Sequence, residues 1–545
     1  MSATGRRIVG AGLFGLVAAC AGPDGPGECV DLTPAAPPVV LELGPSETRS
    51  GDIRVAERLA ITVADPVDPG GDALAGLEAE VWQGQDRVWH AEVADPARRT
   101  LRWADGVLDG PAAAAGGLEP WKTHRVRVRA LATTAAGCVA AGAWSPDASF
   151  RTDDGSASLF HPSQVADVHI DLPPASYAAI DAEAVPPGCV PFERSYHPGT
   201  VRVGGLEFAG AGVRAKGGCG SARPLGDKPG WKINFAWDDP AVAGCPAERR
   251  AAGLQRLTLN NMVQDPSLAR ERLAYRLYQA MNVPVPRAGY TRVWLGDEFL
   301  GLYLHVETID RRMLARNFSS NRGMLYEGTY WCDLEAGNVG DDDSGCLTRE
   351  FTPDPCDEPA EPGDDPQDFG PLRGFISALD ALPAGGFYPA VQNLIDTDAL
   401  FGLWAVEGLL AHWDGYVYEI RNNYRVYHDP GTGLWSIIPT GLDQTFQRPG
   451  FDVWNVSGRL ARSCLAEPAC EAAFAERLRE VVDVAADLDL ETDRARWQDL
   501  ASALLADDPG RNFSPSSFAQ VHAETRDFLL SRPAEVLRQL AARGH

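Results

Sequence analysis

A short polar segment, DDGSAS at residues 153–158, divides the chain into two stretches with different hydrophobic patterns. Before it, short runs of alternating apolar and polar residues are separated by turn residues. In THRVRVRALATT (123–134), Val126, Val128 and Ala130 fall on one side of an extended chain and arginines on the other, a period of two that is typical of a half-buried strand. After it, strand and helix patterns are mixed. The sequence therefore predicts an all-β domain at 37–152 and an α+β domain at 160–545.

The predicted β domain has strands like those at the end of a fibronectin type III domain. GLEPWKTHRVRVRALATTAAG and the following WSPDASFRT carry this resemblance, which is partial because His124 stands where that family usually has tyrosine. The alternation itself requires only a β-sandwich, in which two sheets cover one core. We predict such a sandwich. No catalytic cluster occurs in this stretch, so we expect it to act as a spacer or a contact domain.

The N-terminus has the features of an export signal. MSATGRR is positively charged, and the apolar run IVGAGLFGLVAA that follows is too short to span a bilayer. The run ends in LVAAC, which resembles a bacterial lipoprotein signal, in which cleavage precedes the cysteine and the thiol is lipidated. This implies a signal peptide at 1–19, lipidation of Cys20 and a tether at 20–36; a plain secretory signal is the alternative. We expect a lipoprotein of the bacterial cell envelope, at the outer membrane or cell surface, that contacts the membrane through its lipid anchor only.

Cysteine usage agrees with export. The chain has 11 cysteines, and setting aside the lipidation cysteine leaves an even number, which suits disulfides in an oxidising compartment. We predict that Cys464 pairs with Cys470, and that Cys332 pairs with Cys346 or Cys356.

Acidic residues support two further expectations. The formal charge of −26 disfavours nucleic acid as a partner, since that binding needs a basic face. The segment 332–369 is acidic, Pro-rich and contains three cysteines. Asp341, Asp342 and Asp343 lack the alternating spacing and distal Glu of a calcium-binding loop. We therefore expect a disulfide-pinned surface insertion, with a calcium loop as the alternative.

Two Asp residues and a pair of Asn residues form the candidate catalytic group. HWDGYVYEIRNNY (412–424) contains Asp414, Asn422 and Asn423, and IIPTGLDQTF further on contains Asp443. Phosphoryl transfer needs hard oxygen ligands for magnesium and a carboxylate near the incoming hydroxyl. Protein kinases use this order of residues, although their Asn lies closer to the first Asp.

The surrounding motifs resemble those of the CotH family of spore-coat-type kinases. In chain order they are VRAKGGCGS (213–221), DKPGWKINF (227–235), LTLNN (257–261), DPSLARERLAYRL (265–277), VPVPRAGYTRVWLGDEFLGLYLHVETID (283–310), GMLYEG (323–328), the two stretches above and FLLSRPAEVLRQL (528–540). The resemblance implies an atypical protein-kinase-like domain that binds ATP with Mg²⁺ or Mn²⁺. It also implies an activity, the transfer of phosphate to Ser or Thr of an acceptor protein, here one in the envelope.

The resemblance also implies roles for the residues that would hold the nucleotide phosphates. Lys216, Gly217 and Gly218 would lie beside the phosphates, as Gly-rich loops approach a ligand closely. Lys232, on the next predicted strand, would be the phosphate-binding lysine, and Lys228 is the alternative.

A predicted helix and strand supply two further contacts. PSLARERLAYRLYQAM (266–281) has helical periodicity, and Pro266 suits its first turn. Glu271 on this helix would orient the lysine as an ion pair, with Arg270 as an alternative contact. Glu307, at the end of LGLYLHVE, would meet the nucleobase.

For the catalytic group, the resemblance implies that Asp414 is the catalytic base, Asn422 or Asn423 a metal ligand, and Asp443 the main metal ligand. The family usually has an acidic residue two places before this last Asp, where the present chain has Gly441. A catalytically inactive kinase-like module for surface assembly or adhesion is therefore the alternative function.

Overall fold

The computed structural model describes most of the 545 residues. The described residues are 21–22, 25–26, 35–43, 53–54, 59–115, 117–120, 122–134, 137–161, 163–186, 188, 192, 194–239, 249–340, 345–349, 368–383, 385–505, 508 and 513–545. The predicted signal peptide, Cys20, Cys356 and the three-Asp segment 341–343 lie outside them. The chain divides into two compact units, Met1–Asp154 and Gly155–His545. Within the described part, no helix has both the length and the apolar character needed to cross a bilayer.

The N-terminal unit consists mainly of strands. These are β1 Ala21–Gly22, β2 Gly25–Pro26, β3 Val40–Leu43, β4 Ile53–Arg54, β5 Ala60–Val63, β6 Ala73–Gln83, β7 Asp86–Val93, β8 Thr100–Arg102, β9 Gly106–Leu108, β10 Thr123–Thr133, β11 Val139–Ala141 and β12 Ala148–Thr152, with one short helix, α1 Gly110–Ala115. The larger sheet has the order β4-β12-β10-β6-β7-β9, with β11 on β10, and a smaller sheet has the order β3-β5-β8.

The two larger sheets of this unit share one apolar core. Ile61 and Leu101 of the smaller sheet belong to the same buried cluster as Val81 and Val126 of the larger one. The predicted strand at 123–134 is confirmed as β10, and its apolar face is fully buried. The arginines of its other face are paired; Arg127, for example, contacts the Glu80 carboxylate at 2.7 Å. Two sheets over one core form the layered β architecture that the alternating pattern predicts.

The C-terminal unit begins with a closed barrel. Its strands are β13 Val165–Asp171, β14 His197–Val203, β15 Leu206–Lys216, β16 Gly230–Asn234, β17 Arg256–Asn260, β18 Ala288–Leu295 and β19 Glu298–Val306, in the order β13-β14-β15-β16-β17-β19-β18. The sequence TVRVGGLEFAGAGVRAKG (200–217) predicts one hairpin, and the tight turn GDEF (296–299) predicts a second. Both predictions are confirmed, by the pairing of β14 with β15 and of β18 with β19. Parallel pairing of β13 with β18 closes the barrel, which leaves the ends of its strands as the place where side chains from several strands can meet.

The rest of this unit is a second sheet surrounded by helices. The sheet consists of β20 Leu325–Gly328, β21 Leu347–Arg349, β22 Tyr424–Asp429 and β23 Leu434–Pro439, in the order β21-β20-β22-β23. The helices of the unit are α2 Pro174–Ala182, α3 Arg270–Ala280, α4 Arg311–Asn317, α5 Gly370–Asp380, α6 Phe387–Val391, α7 Thr397–Leu410, α8 Arg459–Leu465, α9 Pro468–Leu488, α10 Leu490–Leu505 and α11 Pro515–Arg543. Helix α7 is buried along almost its whole length, so its C-terminal end is a rigid base for the chain that follows.

Helix α3 begins later than its sequence pattern predicts. It starts at Arg270, not at Pro266. The Asp265 carboxylate accepts hydrogen bonds from the Ser267 N–H at 3.0 Å and the Arg270 N–H at 2.9 Å, and Leu268 has a positive φ of 60°. These contacts hold 265–269 as a compact turn. The Asp265 side chain binds the backbone N–H groups at the start of the helix, so the helix begins only after this turn.

Both locally predicted disulfides are confirmed. Cys464 pairs with Cys470 across the connection from α8 to α9, and Cys332 pairs with Cys346. Cys219, which follows the Gly-rich pair, is also disulfide-bonded and is therefore not a free thiol in the site described below.

Candidate functional site

Three elements of the C-terminal unit bring a lysine, an asparagine and a glutamate together. Lys216 ends β15, Asn260 ends β17, and Glu271 lies in the first turn of α3. The Lys216 Nζ donates to the Asn260 Oδ1 at 2.5 Å, and the Asn260 Nδ2 donates to the Glu271 Oε2 at 2.9 Å. Asn260 therefore bridges the ammonium and the carboxylate.

Burial shifts the pKa values of both charged groups in this bridge. The pKa of Lys216 is lowered to about 8, mainly by burial; Glu271 opposes this shift, and the nearby charge of Lys232 acts in the same direction as burial. Burial raises the pKa of Glu271 to about 7, and the charge of Asp443 acts in the same direction. The ammonium of half-buried Lys216 and the carboxylate of buried Glu271 thus share one site, and an amide lies between them.

Asp443 lies on the short 3₁₀ turn Leu442–Gln444 that follows β23. Burial raises its pKa to about 6, the charges of Asp265 and Asp414 add to this, and Lys216 opposes it. The carboxylates of Asp265 and Asp414 and the ammonium of Lys216 therefore all lie close enough to Asp443 to affect its pKa. We refer to Lys216, Asn260, Glu271, Asp414 and Asp443 as the cleft.

Asp414 is held by the two asparagines that the sequence analysis singled out. The Asn423 Nδ2 donates to the Asp414 Oδ2 at 2.8 Å, and the Asn422 Nδ2 donates to the Asp414 Oδ1 at 3.4 Å. Burial raises the pKa of Asp414 to about 6, and these two hydrogen bonds partly oppose it. The structure therefore brings both predicted Asp residues and both Asn residues into one region.

Glu407 fixes the loop that carries Asp414, and sequence reasoning missed it. Its carboxylate accepts the backbone N–H of Tyr416 at 3.1 Å and of Val417 at 2.9 Å. A Cβ added at Gly415 would lie 2.6 Å from the same carboxyl group, so only glycine fits there. Burial raises the pKa of Glu407 to about 8. The buried end of α7 thus sets the position of the loop.

Two predicted nucleotide contacts have structural partners outside the cleft. The Lys228 Nζ lies 3.0 Å from the Asp508 carboxylate, and both side chains are buried. Glu307 lies between Arg287, at 2.7 Å, and Arg316, at 2.5 Å. The side chains of Lys228 and Glu307 therefore serve ion pairs that hold the barrel to its surroundings.

Two other predicted residues, Lys232 and Arg270, lie close to the cleft. Lys232 on β16 is paired in register with Thr258 on the neighbouring strand β17, and its charge affects the pKa of Lys216. The interaction predicted between Glu271 and a lysine is thus made with Lys216, through Asn260. Arg270 is buried, and its Nε lies 3.4 Å from the Thr525 Oγ1 of α11, so it contacts the C-terminal helix.

Glycines shape the two ends of the site. Gly217 has a φ of 105°, which allows the chain to turn directly after Lys216, and Gly218 follows it in the same turn. Gly441 has a φ of 59°, and a Cβ there would lie 2.5 Å from the Asn423 Oδ1. The glycine at the position where the family usually has an acidic residue is therefore required by the backbone and by Asn423.

Sequence reasoning also missed the role of Asn260, Asp265 and Arg425. The first two belong to motifs that were noted without a function, LTLNN and DPSL. Arg425 donates to the Glu327 Oε1 at 2.9 Å, and its charge lowers the pKa of Lys216. The sequence does contain a signal for Asn260, namely a polar Asn at the last residue of an otherwise apolar strand. Such a residue lies at the end of the barrel, where it can contact other elements.

Among the residues that the structure describes, no three His, Cys, Asp or Glu side chains are arranged to hold a metal ion. In kinase-type sites one Asp and one Asn supply the protein ligands, and the metals also bridge phosphate oxygens. Asp443 and the Asn residues beside Asp414 have the oxygen donors that Mg²⁺ or Mn²⁺ prefers. The donor set fits such a shared site.

Comparison with known proteins identifies the family of the C-terminal unit. The family model described as CotH kinase protein matches residues 213–535. The inner spore coat protein H of Bacillus subtilis (strain 168) is 25% identical over 201 residues, which cover 36% of this chain and 51% of that protein. The chain thus spans about half the length of this relative. All five residues of the cleft lie within the range that the family model matches, and the chain belongs to the CotH family.

Proposed function

We propose that this protein is an atypical protein kinase that transfers phosphate from ATP to Ser or Thr of an envelope protein. The observation that carries the proposal is the convergence of Lys216, Glu271, Asp414 and Asp443, from four separate segments, on one cleft. Phosphoryl transfer requires positioning and charge stabilisation more than covalent help. A lysine, an orienting glutamate and two aspartates in one site meet that requirement.

On the nucleotide side, Lys216 is the residue we assign to the phosphates. Its ammonium is fixed by Asn260, and Glu271 orients Asn260 in turn. Gly217 and Gly218 let the backbone after β15 approach the phosphates closely. Lys232 adds a second positive charge near the same place.

On the metal side, Asp443 is the main ligand and Asn423 the second. We choose Asn423 because the Asn422 Oδ1 already accepts the backbone N–H of Tyr330 at 3.0 Å. A bound Mg²⁺ or Mn²⁺ would neutralise charge on the phosphates. It would also offset the repulsion that the carboxylates of Asp265 and Asp414 exert on Asp443.

On the acceptor side, Asp414 is the catalytic base. The acceptor hydroxyl gives its proton to the Asp414 carboxylate as its oxygen bonds to the γ-phosphorus, and the bond between the γ-phosphorus and the bridging oxygen breaks to release ADP. Hydrogen bonds from Asn422 and Asn423 orient the carboxylate, and Glu407 positions the loop.

The proposal also includes export and anchoring. The signal-like N-terminus and Cys20 support a lipoprotein, with the lipid as the only membrane contact, and the fibronectin-like sandwich as a spacer between anchor and kinase. The disulfides of the C-terminal unit agree with an oxidising compartment. The relative is named as a coat protein, which supports a location outside the cytoplasm.

The test is transfer of label from γ-labelled ATP in the presence of Mn²⁺, with the purified full chain in detergent. Asp414→Asn and Asp443→Asn are compared with Asp429→Asn. Asp429 is a matched control, because it is also buried and accepts backbone N–H groups, those of Ser319, Ser320 and Gly431, from another loop. We expect label with the parent and the control, and loss with the two cleft variants. Equal labelling by Asp443→Asn would overturn the site assignment.

A catalytically inactive assembly module is the second candidate. Gly441, which replaces the usual acidic residue, favours it, as does the name of the relative, which is that of a spore coat protein. The two candidates differ in nucleotide binding. ATP with Mn²⁺ raises the melting temperature of a kinase that binds them, whereas the parent of an inactive module would show neither label nor a shift.

A further inference from the structure

The segment Tyr330–Asp333, shortly after β20, lies against the loop at 412–424, which carries the proposed base. The Tyr330 N–H donates to the Asn422 Oδ1 at 3.0 Å, and the Trp331 N–H donates to the Ile420 carbonyl at 2.7 Å. We refer to Tyr330–Asp333 as the brace and to 412–424 as the Asp414 loop. Backbone donors at the start of the brace therefore bind the Asp414 loop directly.

Two tyrosine hydroxyls of the Asp414 loop bind the brace in return. The Tyr424 hydroxyl donates to the Cys332 carbonyl at 3.4 Å, and the Tyr416 hydroxyl donates to the Asp333 Oδ1 at 3.3 Å. Both tyrosines are fully buried, and a buried hydroxyl needs a hydrogen-bond partner. The brace and the Asp414 loop thus hold each other from within the core.

The backbone of the brace has a conformation that needs external support. Tyr330 and Trp331 have φ values of 30° and 62°, in the left-handed region that bulky residues rarely adopt. Such a conformation persists only where the surrounding structure holds it. The next residue, Cys332, is fully buried and disulfide-bonded to Cys346. A covalent bond therefore fixes the residue that directly follows the strained pair.

Asn422 transmits the position of the brace to Asp414. Its Oδ1 accepts the Tyr330 N–H, and its Nδ2 donates to the Asp414 Oδ1 at 3.4 Å. Because an amide group is planar, fixing its oxygen also fixes the direction of its N–H donors. Without the brace, the Asn422 amide would be free to rotate. The Asp414 side chain would then keep only the hydrogen bond from Asn423, at 2.8 Å.

The disulfide between Cys464 and Cys470 has no such connection. Both cysteines are fully buried, and they join α8 to α9. The Cys464 carbonyl and the Cys470 N–H are both hydrogen-bonded to the backbone of Glu467. Within the described part of the chain, neither cysteine forms a hydrogen bond with the brace or with the Asp414 loop. This disulfide is therefore a matched control for the first one.

We propose that the disulfide between Cys332 and Cys346 positions Asp414 for phosphate transfer, so that the kinase reaches full activity only when this bond is closed. The two cysteines act through the brace and Asn422 and touch no reacting atom, which makes them positioning residues. This inference rests on the proposed kinase function.

Closure of this bond is a thiol–disulfide exchange with an external disulfide of the glutathione type. The thiolate of one cysteine attacks the external disulfide and releases one thiol; the other cysteine then displaces the second thiol as the protein disulfide forms. Two electrons and two protons pass to the external disulfide. Cys346 is only partly buried, so we expect it to meet this reagent first. The chain would therefore gain full activity in an oxidising compartment.

The experiment measures label transfer from γ-labelled ATP with Mn²⁺, to casein and to the chain itself, by purified full chains. These are the parent, Cys332→Ala with Cys346→Ala, and Cys464→Ala with Cys470→Ala. We expect the first double variant to lower the rate at saturating ATP by about 10- to 100-fold, as small misplacements of a reacting group do. Its KM for ATP should stay within about twofold. The second double variant should keep the rate of the parent.

A double-mutant cycle tests whether the disulfide acts through Asn422. Asn422→Ala removes the link itself and should also lower the rate. Adding Asn422→Ala to the Cys332→Ala, Cys346→Ala chain should lower the rate little beyond either change alone, because residues that act in one chain of contacts are not additive. Losses that multiply would show that the disulfide acts elsewhere, and would overturn the proposed positioning of Asp414.

Reduction of the parent decides the question even where a double variant folds poorly. Dithiothreitol should lower the rate once alkylation and mass spectrometry show Cys332 and Cys346 as thiols, and glutathione disulfide should restore it. An unchanged rate with both thiols free, or a loss while this disulfide is still closed, would overturn the inference alone. The melting shift with ATP and Mn²⁺ should persist throughout. A parent with neither label nor shift would overturn the kinase function, and this inference with it.

Discussion

Two groups of charged side chains in the C-terminal unit each contain a buried glutamate but differ in how the charges meet. Glu307 contacts Arg287 and Arg316 directly, one through each carboxylate oxygen. The two arginines hold the pKa of Glu307 at about 2, even though burial acts in the opposite direction. This cluster is complete in itself, because every charge has its partner within hydrogen-bond distance.

The cleft differs because its charges are not matched in this way. Glu271 reaches Lys216 only through the amide of Asn260, and further carboxylates lie nearby. The pKa of Glu271 is accordingly raised to about 7, and that of Asp443 to about 6. Charged groups that are buried without a directly contacting counter-charge reduce stability, and groups with strongly shifted pKa values are concentrated where ligands bind. The comparison separates a cluster whose charges are satisfied within the fold from one whose charges are not, as the proposed binding of ATP and metal would require.

The largest expected effect is on activity in the cleft. Asp414→Asn should lower the rate of label transfer by roughly 10²–10⁴-fold, the usual contribution of a general base, because the amide cannot accept the acceptor proton. The initial rate of labelling measures this. Asp429→Asn, which changes a buried carboxylate of another loop, should stay close to the parent, and an equal loss there would show a general folding defect.

The next effect is on stability and tests the comparison directly. Glu307→Gln leaves two buried guanidinium groups without an anion and should lower the free energy of unfolding by about 3–5 kcal/mol. Glu271→Gln should lower it by about 1 kcal/mol or less, because the neutral amide also relieves the crowding of carboxylates. Urea unfolding of the three proteins measures both changes. Similar losses in both variants would contradict the distinction between the two clusters.

A carboxylate added to the cleft should not turn it into a better metal site. Gly441→Asp restores the residue type usual in the family, but its side chain would collide with Asn423 at a position of positive φ. We expect a loss of about 1–3 kcal/mol and no tighter binding of Mn²⁺ with ATP. Gly433→Asp is the matched control, because Gly433 has a φ of 74° and open space around it. Tighter Mn²⁺ binding in Gly441→Asp would show that the backbone rearranges.

The smallest effect is the pH dependence of stability, which should have opposite signs in the two clusters. The folded pKa of Glu307, about 2, lies below its ordinary 4.5. Its contribution is therefore present above pH 4.5 and is lost as the pH falls toward 2. The folded pKa of Glu271, about 7, lies above 4.5, so its contribution is present below pH 4.5 and is lost as the pH rises toward 7.

The measurement is urea unfolding at a series of pH values for the parent and for the Gln variant of each glutamate. Within each window the parent should differ from the matching variant with a slope of at most about 1.4 kcal/mol per pH unit. The stability advantage of the parent over Glu307→Gln should shrink as the pH falls. The free energy of unfolding of the parent relative to Glu271→Gln should decrease as the pH rises. Slopes of the same sign would contradict the pKa assignments.

Much of the fold follows from local patterns in the sequence. The alternation in 123–134 predicts β10, and the tight turn after Leu295 predicts the pairing of β18 with β19, because each depends on neighbours along the chain. The disulfide between Cys464 and Cys470 spans only 6 residues and was predicted for the same reason. The start of α3 was predicted wrongly. Pro266 suits the first turn of a helix, but hydrogen bonds from the Ser267 and Arg270 N–H groups to the Asp265 carboxylate hold this segment as a turn, and the helix begins at Arg270.

The sequence predicts which segments contribute residues to the cleft, but it does not predict which of these residues contact one another. Asp414, Asn422, Asn423 and Asp443 stand in an order that the sequence shows, and they meet in the structure. The lysine next to Glu271 could not be chosen in this way, because Lys216 and Asn260 are 44 residues apart. Only the barrel, in which β15 and β17 flank β16, brings their ends together.

Local sequence patterns therefore predict most of the strands and helices, the division into a β unit and a mixed unit, and the segments that contribute to the cleft. Tertiary structure decided which charges are paired. In the sequence, Glu307 and Glu271 are each a glutamate at the end of a regular element. Glu307 follows the last residue of β19, and Glu271 lies in the first turn of α3. One of them meets two arginines, and the other meets an amide and further carboxylates. Charge pairing depends on distances of a few ångström between elements far apart in sequence, and those distances exist only once the barrel has closed.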